Sequence, residues 1–300
     1  MIRFSIVVPT YARPQRLSEC LAGLAALEYP RDGFEVIVVD DGTPGGVETA
    51  VAPWRSRLDL KVIVQDNAGP GAARNRGALE ASGACIVFTD DDCVPDSGWL
   101  AAFDRALAAA PGHLLGGPVI NMLDNLYSQA SQDVVAYICD YYDGNAGRPR
   151  LFTSNNMAVP SEAFRKSGGF DRSFERAAGE DREYCDRWIA SGQGSTLVHD
   201  ALVRHAHSLT FASFCRQHFQ YGRAAVRYRE IRSARRRQPM RLEPLSFYAN
   251  LVRFPLREER SWRACVRAAL VGLSQGVNAA GYFWERFESA SSATGRRIQR

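Results

Sequence analysis

The sequence predicts a doubly wound α/β fold with a helical C-terminal appendage. Apolar runs of strand length alternate with segments of helical period through the first third of the chain. The run Phe34-Glu35-Val36-Ile37-Val38-Val39 is apolar on nearly every residue, as a strand covered on both faces of a parallel sheet must be. The alternation stops near residue 210, where an arginine-rich helical pattern takes over.

Taken in order, residues 4–8 form an apolar strand closed by Pro9-Thr10-Tyr11, and residues 13–27 read as a helix with Leu17, Leu21, Leu24 and Leu27 on one face. The second strand ends at Asp40-Asp41-Gly42-Thr43. A helix is predicted over residues 47–57, then a strand over 60–65. Asp66-Asn67-Ala68-Gly69-Pro70-Gly71 opens a further helix that ends near Gly83 and feeds the strand Cys85-Ile86-Val87-Phe88. Ligands of such sheets collect at the strands' C-terminal ends. Four polar clusters fall there: Thr10-Tyr11, Asp40-Asp41, Asn67 to Asn75, and Asp90 to Asp92.

The last cluster carries the most chemistry. Three successive carboxylates repel one another unless a cation sits among them. Asp90 and Asp92, two apart on an extended chain, are expected to share a side and to suit a hard divalent ion. The plain alternative is a solvated turn with Pro95 and Asp96. Gly69-x-Gly71-x-x-Arg74 approaches a dinucleotide fingerprint, but Arg replaces the third glycine and the loop follows the third strand, which argues against a dehydrogenase. A helix start bearing Arg74 and Arg76 still attracts phosphate, the alternative being a solvated helix face.

The chain has 300 residues, 46% hydrophobic and 23% charged, enough for a large core. Residues 223–300 hold 17 Arg and 6 acids, net +11, and the first 222 are net −7, which together give +4. A basic tail on an acidic body suggests an anionic partner for the tail. Seven cysteines without a C-x-x-C pair argue for a reducing compartment, and the N-terminal apolar run is too short for a signal peptide, so cytoplasm is the expectation.

Four segments in order, Ser5-Ile6-Val7-Val8-Pro9-Thr10-Tyr11, Val38-Val39-Asp40-Asp41-Gly42-Thr43, Asn67-x-Gly69-x-x-x-Ala73-Arg74-Asn75-x-Gly77 and Asp90-Asp91-Asp92, resemble the family 2 glycosyltransferases. Thr153-Ser154-Asn155-Asn156-Met157, Gly168-Gly169-Phe170-Asp171 and Gly179-Glu180-Asp181-Arg182-Glu183 extend the resemblance to about 210 residues. It implies the GT-A fold, Rossmann-like with a mixed, mostly parallel central sheet flanked by helices. It also implies a nucleotide-sugar donor and a divalent metal, Mn or Mg. The domain expectation is residues 1–210, split into a donor half (1–115) and an acceptor half (116–210), followed by a basic helical region over 211–300.

The resemblance implies the roles. Asp92 would hold the metal, with Asp90 nearer donor sugar or ribose and Asp91 between them. Asp41 would accept from a nucleobase imide, which suits UDP, though an Asp before Gly42 also stabilises turns. Pro9, Thr10, Tyr11, Arg13 and Asn67 would shape the donor pocket, and Arg74 would contact base or phosphate. Asp181 would be the general base on the acceptor hydroxyl, with Glu180 and Asn156 at the acceptor; acids in a first helical turn also simply suit the dipole. One base with in-line attack implies inversion. His205 would join the metal, with His207 beside it, and packing is the plain alternative.

Tyr137, Tyr141 and Tyr142 are either an acceptor groove or packing. The basic region is expected to lie peripherally on the inner face of the cell membrane, where a glycan or lipid-linked acceptor of the cell envelope would fit, the plain alternative being a solvated helix face; residues 264–284 are too interrupted for a clear transmembrane helix, and one membrane-inserted helix is the lesser alternative. Nucleic acid is not expected, because no recognition motif accompanies the arginines. The competing functions are a nucleotidyltransferase and a catalytically silent nucleotide-sugar binder or scaffold.

Overall fold

The computed structural model describes residues 2–143, 150–174, 178–240 and 242–298, with side chains to residue 289 apart from residue 258. The elements are β1 (Phe4–Thr10), α1 (Pro14–Ala25), β2 (Phe34–Asp40), α2 (Glu48–Val51), β3 (Leu60–Val64), α3 (Pro70–Glu80), β4 (Cys85–Phe88), β5 (Cys93–Pro95) and α4 (Trp99–Ala109). There follow β6 (Leu114–Gly116), β7 (Val119–Asn121), α5 (Leu126–Asp143), β8 (Met157–Pro160), α6 (Ser161–Lys166), α7 (Glu180–Ala190), β9 (Ser195–Leu197) and β10 (Val203–His205). The chain closes with α8 (Phe211–Arg236), α9 (Leu245–Arg253), α10 (Pro255–Glu258) and α11 (Trp262–Ile298).

Two compact units form, one from Met1–Met122 and Ala146–His207, the other from Leu123–Asn145 and Ser208–Arg300. The first holds a seven-stranded sheet in the order β3-β2-β1-β4-β8-β6-β9. β1, β2, β3 and β4 run parallel, and β8 is antiparallel to both β4 and β6. The parallel block puts the ends of β1 to β4 on one edge, as the alternation of strands and helices predicts. Alternation within β1 sends Ile6 and Val8 to one face, packed with Leu17, Leu21, Trp99 and Phe103 of α1 and α4. Val7 faces the other side, with Ala73, Phe164, Phe170 and Trp188. Helices therefore cover both faces.

Gly77 explains the small residue in α3. A Cβ there would lie 2.5 Å from Val7 Cγ1, so α3 approaches β1 only without a side chain. A three-stranded sheet, β5-β10-β7, brings the chain after Asp92 beside His205. The helix expected over 47–57 is one α turn followed by a 3-10 turn over Ala52–Trp54, because Pro53 has no N–H to continue the ladder.

The second unit is helical. Tyr137 of α5, Phe214 of α8, Phe247 and Leu251 of α9 and Val271 of α11 form its core. α8 and α11 touch backbone to backbone: a Cβ at Gly222 would fall 1.9 Å from the Asn278 carbonyl oxygen. The Tyr137 hydroxyl donates to the Phe247 carbonyl at 3.0 Å, and Tyr141 and Tyr142 bond Glu243. These tyrosines therefore pack inside the helical unit rather than lining an acceptor groove. The segment 123–145, expected in the acceptor half, lies with the C-terminal helices because the apolar face of α5 is matched there.

Candidate active site

Each parallel strand delivers its loop to the same edge. After β1 the chain turns through Ala12 in the left-handed region (φ 53°), held by its N–H donating to Thr43 Oγ1 at 3.0 Å. That turn leaves Tyr11 exposed and sends Arg13 back to the acidic triplet. Pro9 and Thr10 are buried at the end of β1.

The triplet is not extended. β4 stops at Phe88, and Asp91 and Asp92 occupy a turn before β5, so alternation does not carry through it. Asp90 and Asp92 accordingly do not share a partner. Asp90 Oδ1 lies 2.6 Å from Arg74 Nη2, while Arg13 bonds Asp92. Asp91 is buried, accepts from Thr10 Oγ1 at 2.7 Å and lies 3.3 Å from Arg13 Nη1. Burial pushes its pKa up to about 6, against the pull of Arg13 and the Thr10 hydroxyl.

Asp92 sits at the centre of a second cluster. Its Oδ2 takes Arg13 Nη1 at 2.8 Å, and its Oδ1 lies 3.1 Å from His205 Nε2. His207 Nδ1 is 3.7 Å from Oδ2, and the two imidazoles stack with centroids 5.1 Å apart. Burial pushes Asp92 upward, but hydrogen bonds to His205 and His207 and the charges of His205 and Arg13 hold it well below the usual carboxylate range.

Asp92, Cys93 and His205 present ligand atoms within 4.8 Å of one another, close enough to meet on one divalent ion. Two neighbouring ligands about 2.1 Å from an octahedral ion stand about 3 Å apart, and the carboxylate–imidazole spacing here fits that. Burial pushes the Cys93 thiol up, so it stays protonated, and carboxylate and imidazole are the donors that suit Mn²⁺ or Mg²⁺. Asp90, expected to share the ion, lies against Arg74 through Oδ1, with its side chain partly exposed.

Arg74 joins the two ends of the site. It is buried on α3, with Nη1 3.0 Å from Glu180 Oε1, Nη2 on Asp90 and the guanidinium 6.0 Å from the Phe170 ring centroid. Asn75, the next residue, exchanges two 2.8 Å hydrogen bonds with the backbone of Phe170. Glu180 and Asp181 start α7 after Gly179, which is left-handed (φ 91°). Burial and the charge of Asp181 push Glu180 upward, and its Oε2 has no hydrogen-bond partner among the described residues. Burial likewise raises Asp181, against the Arg182 and Ser154 backbone N–H groups and the Arg74 charge.

Two expected residues are tied into the fold by hydrogen bonds. Asn156 is fully buried; its Nδ2 donates to the Pro118 and Ala201 carbonyls at 2.9 and 2.8 Å, and its Oδ1 accepts from Trp99 Nε1 at 2.8 Å. That side chain is spent on tying loops together, not on an acceptor. Asp41 accepts from Gln65 Nε2 and from the Ala68 and Gly69 N–H groups at 2.6, 2.9 and 2.9 Å, fastening the 66–69 loop. The turn-stabilising role falls to Asp40, whose Oδ1 accepts from Thr43 N. Asn67 is exposed on that loop. Cys93, Gln65 and Phe170 were not singled out for the site from the sequence; only the Gly-Gly-Phe-Asp segment pointed near one of them.

Residues 5–166 match the glycosyl transferase family 2 model. The chain belongs to glycosyl transferase family 2 and is an enzyme of the glycosyltransferase class. It is 24% identical over 224 residues to the glycosyltransferase AglE of Haloferax volcanii, spanning 74% of this chain and 72% of AglE. Over 94 residues it is 37% identical to the poly(ribitol-phosphate) beta-N-acetylglucosaminyltransferase TarS of Staphylococcus aureus, a match of 31% of this chain and 16% of TarS. Among solved structures, the mannosyltransferase PcManGT of Pyrobaculum calidifontis, in complex with GDP-Man and Mn²⁺, aligns with a TM-score of 0.60 at 21% identity, over 99% of this chain and 80% of its own. S. aureus TarS 1-349 with UDP-GlcNAc aligns at 0.57 and 15% identity, over 94% and 89%. At those identities the likeness is one of fold, GT-A.

Proposed function

We propose that this enzyme moves a sugar from a nucleoside-diphosphate sugar, UDP-linked, to an acceptor hydroxyl with inversion. The observation that carries the reading is the pairing of the Asp92–His205 cluster with a second acidic group, Glu180 and Asp181, beyond Arg74. A leaving diphosphate needs cationic help, and an incoming hydroxyl needs a base; the two clusters supply one each. A divalent ion held by Asp92 and His205 would stabilise the departing diphosphate as a Lewis acid. Arg13, exposed over half its side chain beside Asp92, adds positive charge for the same phosphates.

Asp181 takes the acceptor proton. Its raised pKa makes it a stronger base than a solvated aspartate, while the Arg74 charge works against protonation of the pair. Asp41 and the loop it fastens receive the base, with Tyr11 exposed alongside. Relatives bound to UDP-GlcNAc and to GDP-Man support a nucleotide-sugar donor of this chain. A glycan or lipid-linked hydroxyl is the acceptor class in this reading.

Release of UDP, GDP or dTDP from the corresponding sugars, with and without Mn²⁺ and in the presence of an acceptor hydroxyl, tests the proposal directly. UDP-sugar turnover that needs the ion and collapses in Asp181→Asn, with donor binding intact, is the expected result. Full transfer by Asp181→Asn, or product retaining the donor's anomeric configuration, would overturn it. Pyrophosphate formation from a nucleoside triphosphate and a sugar 1-phosphate would mark a nucleotidyltransferase instead.

A further inference from the structure

The outer face of α11 is apolar where a water-exposed helix is polar. Its inner face is accounted for: Ala264, Ala268 and Val271 are buried, and Arg267 turns inward to Asp133 of α5 at 3.5 Å. The outward positions are Trp262, Val266, Ala269, Leu273, Gly276, Ala280, Phe283 and Phe287, a run of alternating four- and three-residue steps. Trp262, Phe283 and Phe287 are 68%, 69% and 74% exposed, and Trp284 flanks them. At about 1.5 Å per residue the stripe is roughly 37 Å long. No acid interrupts it before Glu285, and Glu285 and Glu288 are both engaged by Arg223.

The first turn of α11 also walls an apolar groove of about 490 Å³ with Tyr127 and Phe211, at whose edge Arg263 pairs with Asp124. Exposed arginines accompany the stripe within the same unit: Arg253, Arg257 and Arg260 before it and Arg286 in its last turns. No described helix is long and apolar enough to cross a membrane.

We propose that the outward face of α11 lies in the plane of an anionic lipid bilayer, with its aromatic residues seated at the headgroup level and the neighbouring arginines against lipid phosphates. The occupant follows from charge. A helix with a large exposed Trp/Phe/Leu face, an arginine-rich surround and too little length or apolarity to span is the interfacial type. Trp is at home where one side is oily and the other wet. A second copy of the same face would bring the +11 of residues 223–300 against itself, with no acid on the stripe to relieve it. An anionic surface relieves that charge instead. The inference stands independently of the donor and metal reading above.

Flotation with phosphatidylcholine vesicles, with and without phosphatidylglycerol, tests it on the full chain. The protein is expected to float with the anionic vesicles, less so at high salt, and tryptophan emission is expected to shift to the blue. The shift should vanish in the double variant Trp262→Phe/Trp284→Phe. Leu273→Glu with Phe283→Glu, both on exposed positions, should weaken binding about tenfold or more while the circular dichroism melt is unchanged. Wild-type protein that ignores anionic vesicles at low salt overturns the proposal, as does undiminished binding by the glutamate variant. A concentration-dependent dimer, abolished by the glutamates and without vesicle binding, would assign the face to a second copy and equally overturn it.

Discussion

Arg74 and Glu180 are 106 residues apart in the chain and meet at 3.0 Å, both buried, with Asp90 2.6 Å from the other guanidinium nitrogen. One side chain thus fixes the helix after β3, the acidic turn after β4 and the start of α7 in a single geometry. Breaking such a pair from one side leaves the buried Glu180 and the partly exposed Asp90 without their cation, a loss of about 3–5 kcal/mol. Arg74→Ala is expected to lose that much in urea unfolding. The double variant Arg74→Met/Glu180→Gln should lose less than the two single changes added together.

Removing Asp92 or His205 should separate ion binding from folding. Asp92→Asn is expected to abolish ion-stimulated turnover, and His205→Ala to raise the Mn²⁺ concentration for half-maximal rate about 10–100-fold, as loss of a ligand or its support does. Turnover measured against Mn²⁺ concentration reads both, with the thermal midpoint as a control for the fold.

His218 makes the helical unit acid-sensitive. It is buried, neither ring nitrogen has a hydrogen-bond partner among the described residues, and burial lowers its pKa from 6.5 to about 4. The unfolded chain then binds a proton that the folded chain refuses. Stability is full above pH 6.5 and falls as pH drops from there to about 4, by roughly 3 kcal/mol. His218→Leu should flatten that slope in unfolding curves taken across the interval; an unchanged slope would mean that the ring is not the source.

Asn156 should behave as a structural residue. Asn156→Ala removes three hydrogen bonds and strands the Ala201 carbonyl and an indole N–H, while the Pro118 carbonyl keeps the Val203 N–H, so about 3 kcal/mol of stability is expected to go. The acceptor KM of the surviving folded enzyme should stay within about twofold, a shift of less than 0.5 kcal/mol.

Much of this was legible beforehand. The strands β1 to β4 announced themselves because their residues are apolar on both faces, and their polar ends followed from chain direction alone. Arg74, Asp92, Glu180 and His205 were named from spacing and resemblance, and the folded chain brings them to two adjoining clusters. Their pairing was hidden, because Arg74–Glu180 and Asp92–His205 are contacts between distant segments with no local signal. The alternation expected of Asp90 and Asp92 fails because the chain turns at Asp91 and Asp92. Asn156 carried the family pattern for a reason of packing, and no periodicity distinguishes an amide that binds a ligand from one that ties three loops. The tyrosines of α5 were read with the wrong half because their partners lie a hundred residues on.

The tie between α3 and α7 also sets where this enzyme can be cut. The family match ends at residue 166, before Glu180, Asp181 and His205. A fragment stopping there would retain every loop that follows β1 to β4 yet strand the Arg74 charge with half its counterions and leave Asp92 without its imidazoles. Shortened versions built for crystallography or engineering should therefore run at least through His207; those ending earlier are expected to precipitate or to melt far below the intact chain.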